Sequence, residues 1–229
     1  MSRLRLDSVS WNEFLSEFKW RQGEHVAAIA PTGAGKTTLF KALLPLRKYN
    51  IFFGTKLDDP LYRQILRQGF ERIEQIEDIR PWEDNLLLWP RSQKRIKETY
   101  ALQRSVFENA LDAIAKQGSW SVWFDECKYI AEHLKLTEAL TFCLEQLRSI
   151  NGTTISGAQR PVWLPRSVLS NATHVFLWRS NNREDAKRLA DIGGIDSGFV
   201  AKEAKLLGPH EFIYVNGRTG DIKKSQVRK

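Results

Sequence analysis

The residues best suited to chemistry in this chain begin with Ala30-Pro31-Thr32-Gly33-Ala34-Gly35-Lys36-Thr37. Two glycines followed by a lysine and a hydroxyl suit a loop whose backbone N–H groups surround phosphate oxygens. The usual pattern is glycine, any four residues, then Gly-Lys-Ser/Thr. Here Ala30 stands in the first position, and a methyl there is tolerable if the backbone stays extended. Pro31, Thr32, Gly33, Ala34, Gly35, Lys36, Thr37 and Thr38 are therefore the expected ATP-binding residues. Lys36 would reach the β- and γ-phosphates, and the Thr37 hydroxyl would ligate Mg²⁺.

A second constellation follows in "SWSVWFDECKY", where a short apolar run ends in Asp125-Glu126. Two carboxylates at the tip of a buried strand are costly unless something uses them. Asp125 would hold Mg²⁺ beside Thr37, and Glu126 would take a proton from, or orient, an attacking water. A pair of adjacent acids favours hydrolysis over transfer to a bound acceptor. Gln159, at the end of the run Thr153–Ala158, is an amide placed to sense the γ-phosphate or position water.

These groups need rigid supports, and the chain provides alternating apolar runs and amphipathic stretches. That order predicts an α/β fold with a mainly parallel sheet flanked by helices. Strands are expected at His25–Ala30, Tyr49–Gly54, Leu86–Trp89, Trp120–Phe124, Thr153–Ala158 and Thr173–Trp178. Helices are expected at Lys36–Arg47, Asp59–Gly69, Ser92–Gln117, Lys128–Ile150 with a break near His133, and Arg183–Ile192, stopped by Gly193-Gly194. In the longest helix, Ile96, Tyr100, Phe107, Leu111 and Ile114 share one face. Glu211–Val215, the turn Asn216-Gly217 and Thr219–Ile222 read as a C-terminal β-hairpin. A single domain over residues 1–229 is expected, with residues 1–20 as an N-terminal appendage and residues 216–229 as the hairpin and a frayed basic tail.

The 229 residues carry 35 basic and 27 acidic groups, a net charge of +8 that suits a polyanionic partner. No stretch approaches the roughly 18 consecutive apolar residues of a membrane span. No signal-peptide core opens the chain, so a cytoplasmic location is expected. Cys127 and Cys143 offer neither a disulfide framework nor metal-ligand spacing, and read as reduced core thiols. The eight tryptophans lie mostly in apolar runs and are expected to pack. Trp20 or the residues around Glu24 are the expected border of the adenine. His25, His133, His174 and His210 show no ligand spacing and receive no chemistry.

Taken together, the motifs resemble the FtsK–HerA superfamily of DNA-pumping ATPases. "PTGAGKTTL" is similar to that family's phosphate loop, and "LRSINGTTISGAQRP" to its arginine, glycine, strand and glutamine in order. "LSNATHVFLWRS" and "AKRLADIGGIDSGFVAKEAKLLGPHEFIYV" resemble its following strand and its terminal helix and strand. The resemblance spans about Trp20 to Val215. It implies a RecA-like (ASCE) P-loop NTPase with ATP and Mg²⁺ as cofactors. Lys36, Glu126, Gln159 and Arg148 are the implied catalytic residues, Arg148 standing where the family places a finger that reaches a neighbouring subunit's γ-phosphate. Arg160 and Arg179 are further candidates for that finger.

The implied function is a homo-oligomeric ring, hexamer or pentamer, that translocates double-stranded DNA. No barrel or membrane-anchoring domain is expected ahead of Trp20, and no winged helix after Val215. So bare a motor resembles viral genome-packaging ATPases, placing it in a host cytoplasm or with a virion, docked on a capsid or membrane partner. Arg91, Lys94, Arg95 and Lys97, with Arg104, are the expected DNA contacts, and Lys202 and Lys205 a second set. The alternatives are a nucleotide-gated DNA-binding or partition ATPase, and a small-molecule kinase.

Overall fold

Strands buried on both faces must be apolar throughout, and the runs above are of that kind. The computed structural model describes residues 6–75, 85–192 and 195–228. Gly193-Gly194 lies outside the described residues. The chain opens with β1 (Asp7–Ser8), α1 (Trp11–Glu17), β2 (His25–Ile29) and α2 (Lys36–Leu43). There follow β3 (Asn50–Phe53), α3 (Pro60–Arg67), β4 (Glu71–Ile73), β5 (Asn85–Leu88) and α4 (Ile96–Gln117). The second half holds β6 (Ser121–Phe124), α5 (Thr137–Gln146), β7 (Thr153–Ala158), α6 (Arg166–Asn171) and β8 (Ala172–Trp178). Last come α7 (Arg183–Arg188), α8 (Ser197–Lys205), β9 (Glu211–Asn216) and β10 (Ile222–Gln226).

All ten of these strands join one sheet in the order β1-β10-β9-β8-β2-β7-β6-β3-β5-β4. Only β9 runs against its neighbours; every other pairing is parallel. Alternate side chains feed two cores. Ala27, Ile29, Ile51 and Phe53 face the layer of α4, α5, α6 and α8. Val26, Ala28, Ala30 and Phe52 face α1, α2 and α3. Trp11, Trp120, Trp123 and Trp178 are buried in these cores, as is each of the two free cysteines. Burial pushes both thiols up to about 12, which leaves them protonated and inert.

The helix Lys128–Ile150 is broken where expected: a wide turn at Tyr129–His133 precedes α5, and a tight turn at Leu147–Ile150 follows it. The face of α4 differs from its apolar pattern. Ile96 is 74% exposed, whereas Thr99 and Gln103 are buried. Gln103 is held there because it accepts from Tyr129 Oη (2.6 Å) and donates to the Thr55 carbonyl (3.4 Å).

The hairpin also differs. Asn216 Oδ1 accepts from the N–H groups of Arg218 (3.0 Å) and Thr219 (3.2 Å), which widens the turn. The second strand is therefore Ile222–Gln226 rather than Thr219–Ile222, and the segment read as a frayed tail lies between β9 and β1. Its lysines are matched by distant acids, Lys223 by Glu17 and Lys224 by Glu211 (2.9 Å). Residues read as an N-terminal appendage likewise join the body: β1 pairs with β10, and α1, started by a Ser10–Glu13 capping box, buries Trp11 and Phe14.

The edge of the sheet where β2 begins carries a polar network. Glu24 accepts from Arg218 (3.1 Å) and pairs with buried His174 (3.0 Å), whose other ring nitrogen meets Tyr214 Oη (2.8 Å). Arg47 stacks on Trp20 at 4.0 Å and donates to its carbonyl (3.0 Å). His25 is fully buried, and its Nδ1 accepts from the Thr154 N–H (3.0 Å), which puts the proton of the neutral ring on Nε2.

Two outcomes are expected. A chain ended at Asp221 loses the buried Ile222 and Val227, worth about 1.5–3 kcal/mol each. Its melting temperature should fall by about 10 °C or more. Burial, with Arg148 adding repulsion, lowers the His25 pKa to about 4. The unfolded chain then takes up a proton before the folded one does. Stability is complete above about pH 6.5 and is lost as pH falls toward 4, by about 3 kcal/mol. Melting curves of the wild type against His25→Gln across that window should show the variant with the shallower slope.

Candidate nucleotide site

Parallel strands bring their C-terminal ends to one edge of a sheet, and ligands settle there. At that edge a cleft of about 360 Å³ is lined by residues from the β2–α2 loop, the ends of β3, β6 and β7, and the C-terminal segment. Of the expected nucleotide-binding residues, Pro31, Thr32, Gly33, Gly35, Lys36, Thr37 and Thr38 line it. Ala34 turns its carbonyl toward His210 Nδ1 (3.2 Å). Ala30 continues the sheet by donating its N–H to the Ala158 carbonyl (3.0 Å) and is buried in the core. An extended residue tolerates a methyl, so the departure from glycine at this position is accommodated as expected.

Gly35, at the start of α2, has φ +122°, and a side chain there would lie 2.3 Å from Val227 Cγ2. The loop is thus walled at Gly35 by the residue that follows β10. Neither Val227 nor His210 carries a sequence signal for this role. The one available clue is the compact Gly208-Pro209-His210 turn, where His210 takes a left-handed conformation (φ 62°).

Asp125 is 4% exposed. Its Oδ1 is 3.0 Å from Lys36 Nζ and its Oδ2 is 3.1 Å from Lys56 Nζ. Lys36 also donates to the Asp125 carbonyl (2.8 Å). Gly157 of β7 makes room for this approach, since a Cβ there would meet that carbonyl at 2.7 Å and Lys36 Nζ at 3.2 Å. Burial pushes the Asp125 carboxyl up, but the two ammonium groups outweigh it and hold it below the usual value. Burial likewise opposes the Lys56 charge, and Asp125 and Asp59 reverse this, holding its pKa above the ordinary lysine value. Sequence reasoning missed Lys56 because its partner lies on another strand.

Glu126 and Gln159 both line the cleft, half-buried, with no side-chain hydrogen-bond or ion-pair partner among the described residues. Polar groups left unengaged in a concave site are available to a ligand. Asp125 Oδ1 receives no well-aligned hydrogen bond despite its ion pair, leaving a buried oxygen acceptor on a residue that lines the cleft. That oxygen and the Thr37 hydroxyl are the hard donors Mg²⁺ prefers, with a bound phosphate supplying others. The residues present fit the ion.

Other expected residues lie apart. Trp20 and Glu24 precede β2, at the opposite end of the strand from the phosphate loop, so neither borders a base bound there. Arg148 is also at that far edge, exposed, donating to the carbonyls of Gly23 (3.1 Å) and Asn171 (3.3 Å). Within one chain it does not meet Lys36 or Asp125. Arg160 pairs with buried Asp185 (3.3 Å), and Arg179 is exposed at the end of β8. Arg91, Lys94, Arg95 and Lys97 are all exposed after β5, on the same edge as the cleft. Arg91 pairs with Glu74 (2.8 Å) and Arg95 with Glu98 (3.8 Å). Lys202 and Lys205 are exposed on α8.

Comparison with solved structures then decides the fold. B204, the DNA-packaging ATPase of Sulfolobus turreted icosahedral virus, superposes with a TM-score of 0.68 over 92% of this chain and 100% of its own, at 17% identity. The fold is that of the RecA-like P-loop ATPases. The genome-packaging NTPase B204 of Sulfolobus turreted icosahedral virus 2, solved with AMPPCP, gives 0.64 over 88% of this chain and 96% of its own, at 15% identity. VirB4 of Thermoanaerobacter pseudethanolicus gives 0.65 over 90% and 89%, at 10% identity. No protein-family model and no curated protein matches the sequence. At these identities the likeness is one of fold, reached from shape and independent of the motif order.

Proposed function

We propose that this protein is an ATPase whose hydrolysis drives translocation of double-stranded DNA, with viral genome packaging as its setting. One observation carries the reading: Lys36, Asp125-Glu126 and Gln159 arrive from three elements at a single cleft in which Glu126 and Gln159 have no side-chain partner among the described residues. The phosphate loop and Lys36 bind the triphosphate. Magnesium, held by Thr37 and Asp125, would supply positive charge to the phosphate oxygens. Glu126 orients a water and takes its proton as the water oxygen attacks the γ-phosphorus, and the bond to the β–γ bridging oxygen breaks to leave ADP. Gln159 holds the water or a γ-phosphate oxygen in line.

A homo-oligomeric ring completes the site. Arg148, at the edge away from its own cleft, would reach the nucleotide of a neighbouring subunit and offset transition-state charge there. Arg91, Lys94, Arg95 and Lys97 would contact DNA phosphates without reading bases. Host cytoplasm or virion is the location consistent with this role, with a capsid or membrane partner for docking. The viral setting is supported by the likeness of fold to the two B204 proteins, a genome-packaging NTPase and a DNA-packaging ATPase.

Turnover of ATP with and without long duplex DNA, measured together with mass in solution, tests the motor. DNA-stimulated hydrolysis by an oligomer is expected, and Glu126→Gln should bind ATP while losing at least 100-fold in turnover. Nucleotide-dependent DNA binding without stimulated turnover would instead identify a gating or partition protein. Mixing Arg148→Ala with Lys36→Ala protein should restore part of the activity that each lacks alone. No recovery from folded, co-assembled subunits removes Arg148 from the role.

A further inference from the structure

Lys56 enters the cleft from the loop after β3, and that loop is held on both sides. Tyr62 Oη, fully buried, accepts from the N–H groups of Thr55 (2.9 Å) and Lys56 (3.3 Å). Trp89 Nε1 donates to the Lys56 carbonyl (2.8 Å), and the same indole rests on Gly54 with a hypothetical Cβ only 3.0 Å away. A backbone fixed at both its donor and its acceptor delivers its side chain to a defined place. The Lys56 ammonium bridges Asp59 Oδ2 (2.5 Å) and Asp125 Oδ2 (3.1 Å) and remains 42% exposed.

Its position in the sheet gives it a direction. The phosphate loop follows β2, and β7, β6 and β3 lie successively to one side of it. His210 and Val227 border the loop from the other side, where β8, β9 and β10 lie. A triphosphate whose terminal group faces Glu126 and Gln159 therefore points toward β3, and Lys56 lies beyond Asp125 in that direction. Lys36 and Lys56 pair with different oxygens of one carboxylate, so the carboxylate stands between the two ammonium groups. A cation ligated by Asp125 would compete with the two ammonium groups for its oxygens. Lys56, still tethered by Asp59, is then a positive charge in need of a new oxygen partner.

We propose that Lys56 is a second phosphate-binding lysine of this cleft, which contacts the γ-phosphate and sets the preference for a triphosphate over a diphosphate. The inference rests on the nucleotide reading above and names a residue that neither the motifs nor the resemblance assigns. Asp59 is its tether: Oδ1 caps α3 by accepting from the Leu61 N–H (2.8 Å) while Oδ2 holds the lysine.

Titration of the full chain with fluorescent ATP and fluorescent ADP, in magnesium buffer, tests this by binding rather than turnover. Lys56→Ala is expected to weaken ATP tenfold or more, the loss of one charged hydrogen bond, while ADP stays within about twofold. Lys56→Arg should retain most of the difference. Lys56→Met, which keeps the stem, repeats the measurement if Lys56→Ala melts early. An unchanged ATP-to-ADP ratio, or equal losses for both nucleotides, would overturn the assignment and leave Lys56 as a support for Asp125. Wild-type protein that binds neither nucleotide overturns the nucleotide reading itself, and this inference with it.

Discussion

One carboxylate between two ammonium groups organises the working edge of this protein. Asp125 is too buried to carry its charge alone, and removing one member of a buried pair costs about 3–5 kcal/mol in typical cases. Lys36 and Lys56 relieve that cost from opposite sides. Each of the three belongs to a different element: the first turn of α2, the loop after β3, and the end of β6. The charge cluster can form only if β2, β7, β6 and β3 are in their observed order and register. The fold and the site therefore enforce each other, and Gly157 shows how closely, since one methyl in β7 would obstruct the lysine.

The two edges of the sheet have opposite chemical character. Where the strands begin, Glu24, His174, Tyr214 and Arg218 are engaged with one another, and Arg47 is committed to Trp20 and the chain beside it. That edge is a largely self-paired polar network suited to holding the strands in register. Where the strands end, Glu126 and Gln159 have no side-chain partner among the described residues. A rigid base and an unsatisfied rim are what a site needs if ligand binding is to complete its hydrogen bonding rather than compete with it.

Much of this was legible in the sequence because the central strands are buried on both faces and read as unbroken apolar runs. The phosphate loop, Asp125-Glu126 and Gln159 each sit at the tip of such a run, so their common edge followed from parallel topology. What escaped notice depends on partners far away in the chain. Lys56 looks like any surface lysine until Asp125 is placed beside it. Strand β10 looks like a charged tail because its lysines hide Ile222 and Val227, and their acids, Glu17 and Glu211, are remote. On α4 the apolar period pointed to Ile96, but buried hydrogen bonds drew Thr99 and Gln103 inward instead. Trp20 was misplaced because nearness to a motif in sequence is not nearness in space when a strand intervenes.

The contact between Val227 and Gly35 has a consequence for the order of assembly. Nearly the whole chain separates the two residues, so this is among the least local contacts in the fold, and such contacts form late. The phosphate loop is made early in synthesis yet lacks its backing until the last strand has been threaded between β9 and β1. An incompletely folded chain would then hold its nucleotide loop without the wall at Gly35. The loop is fully walled only once β10 has taken its place in the sheet.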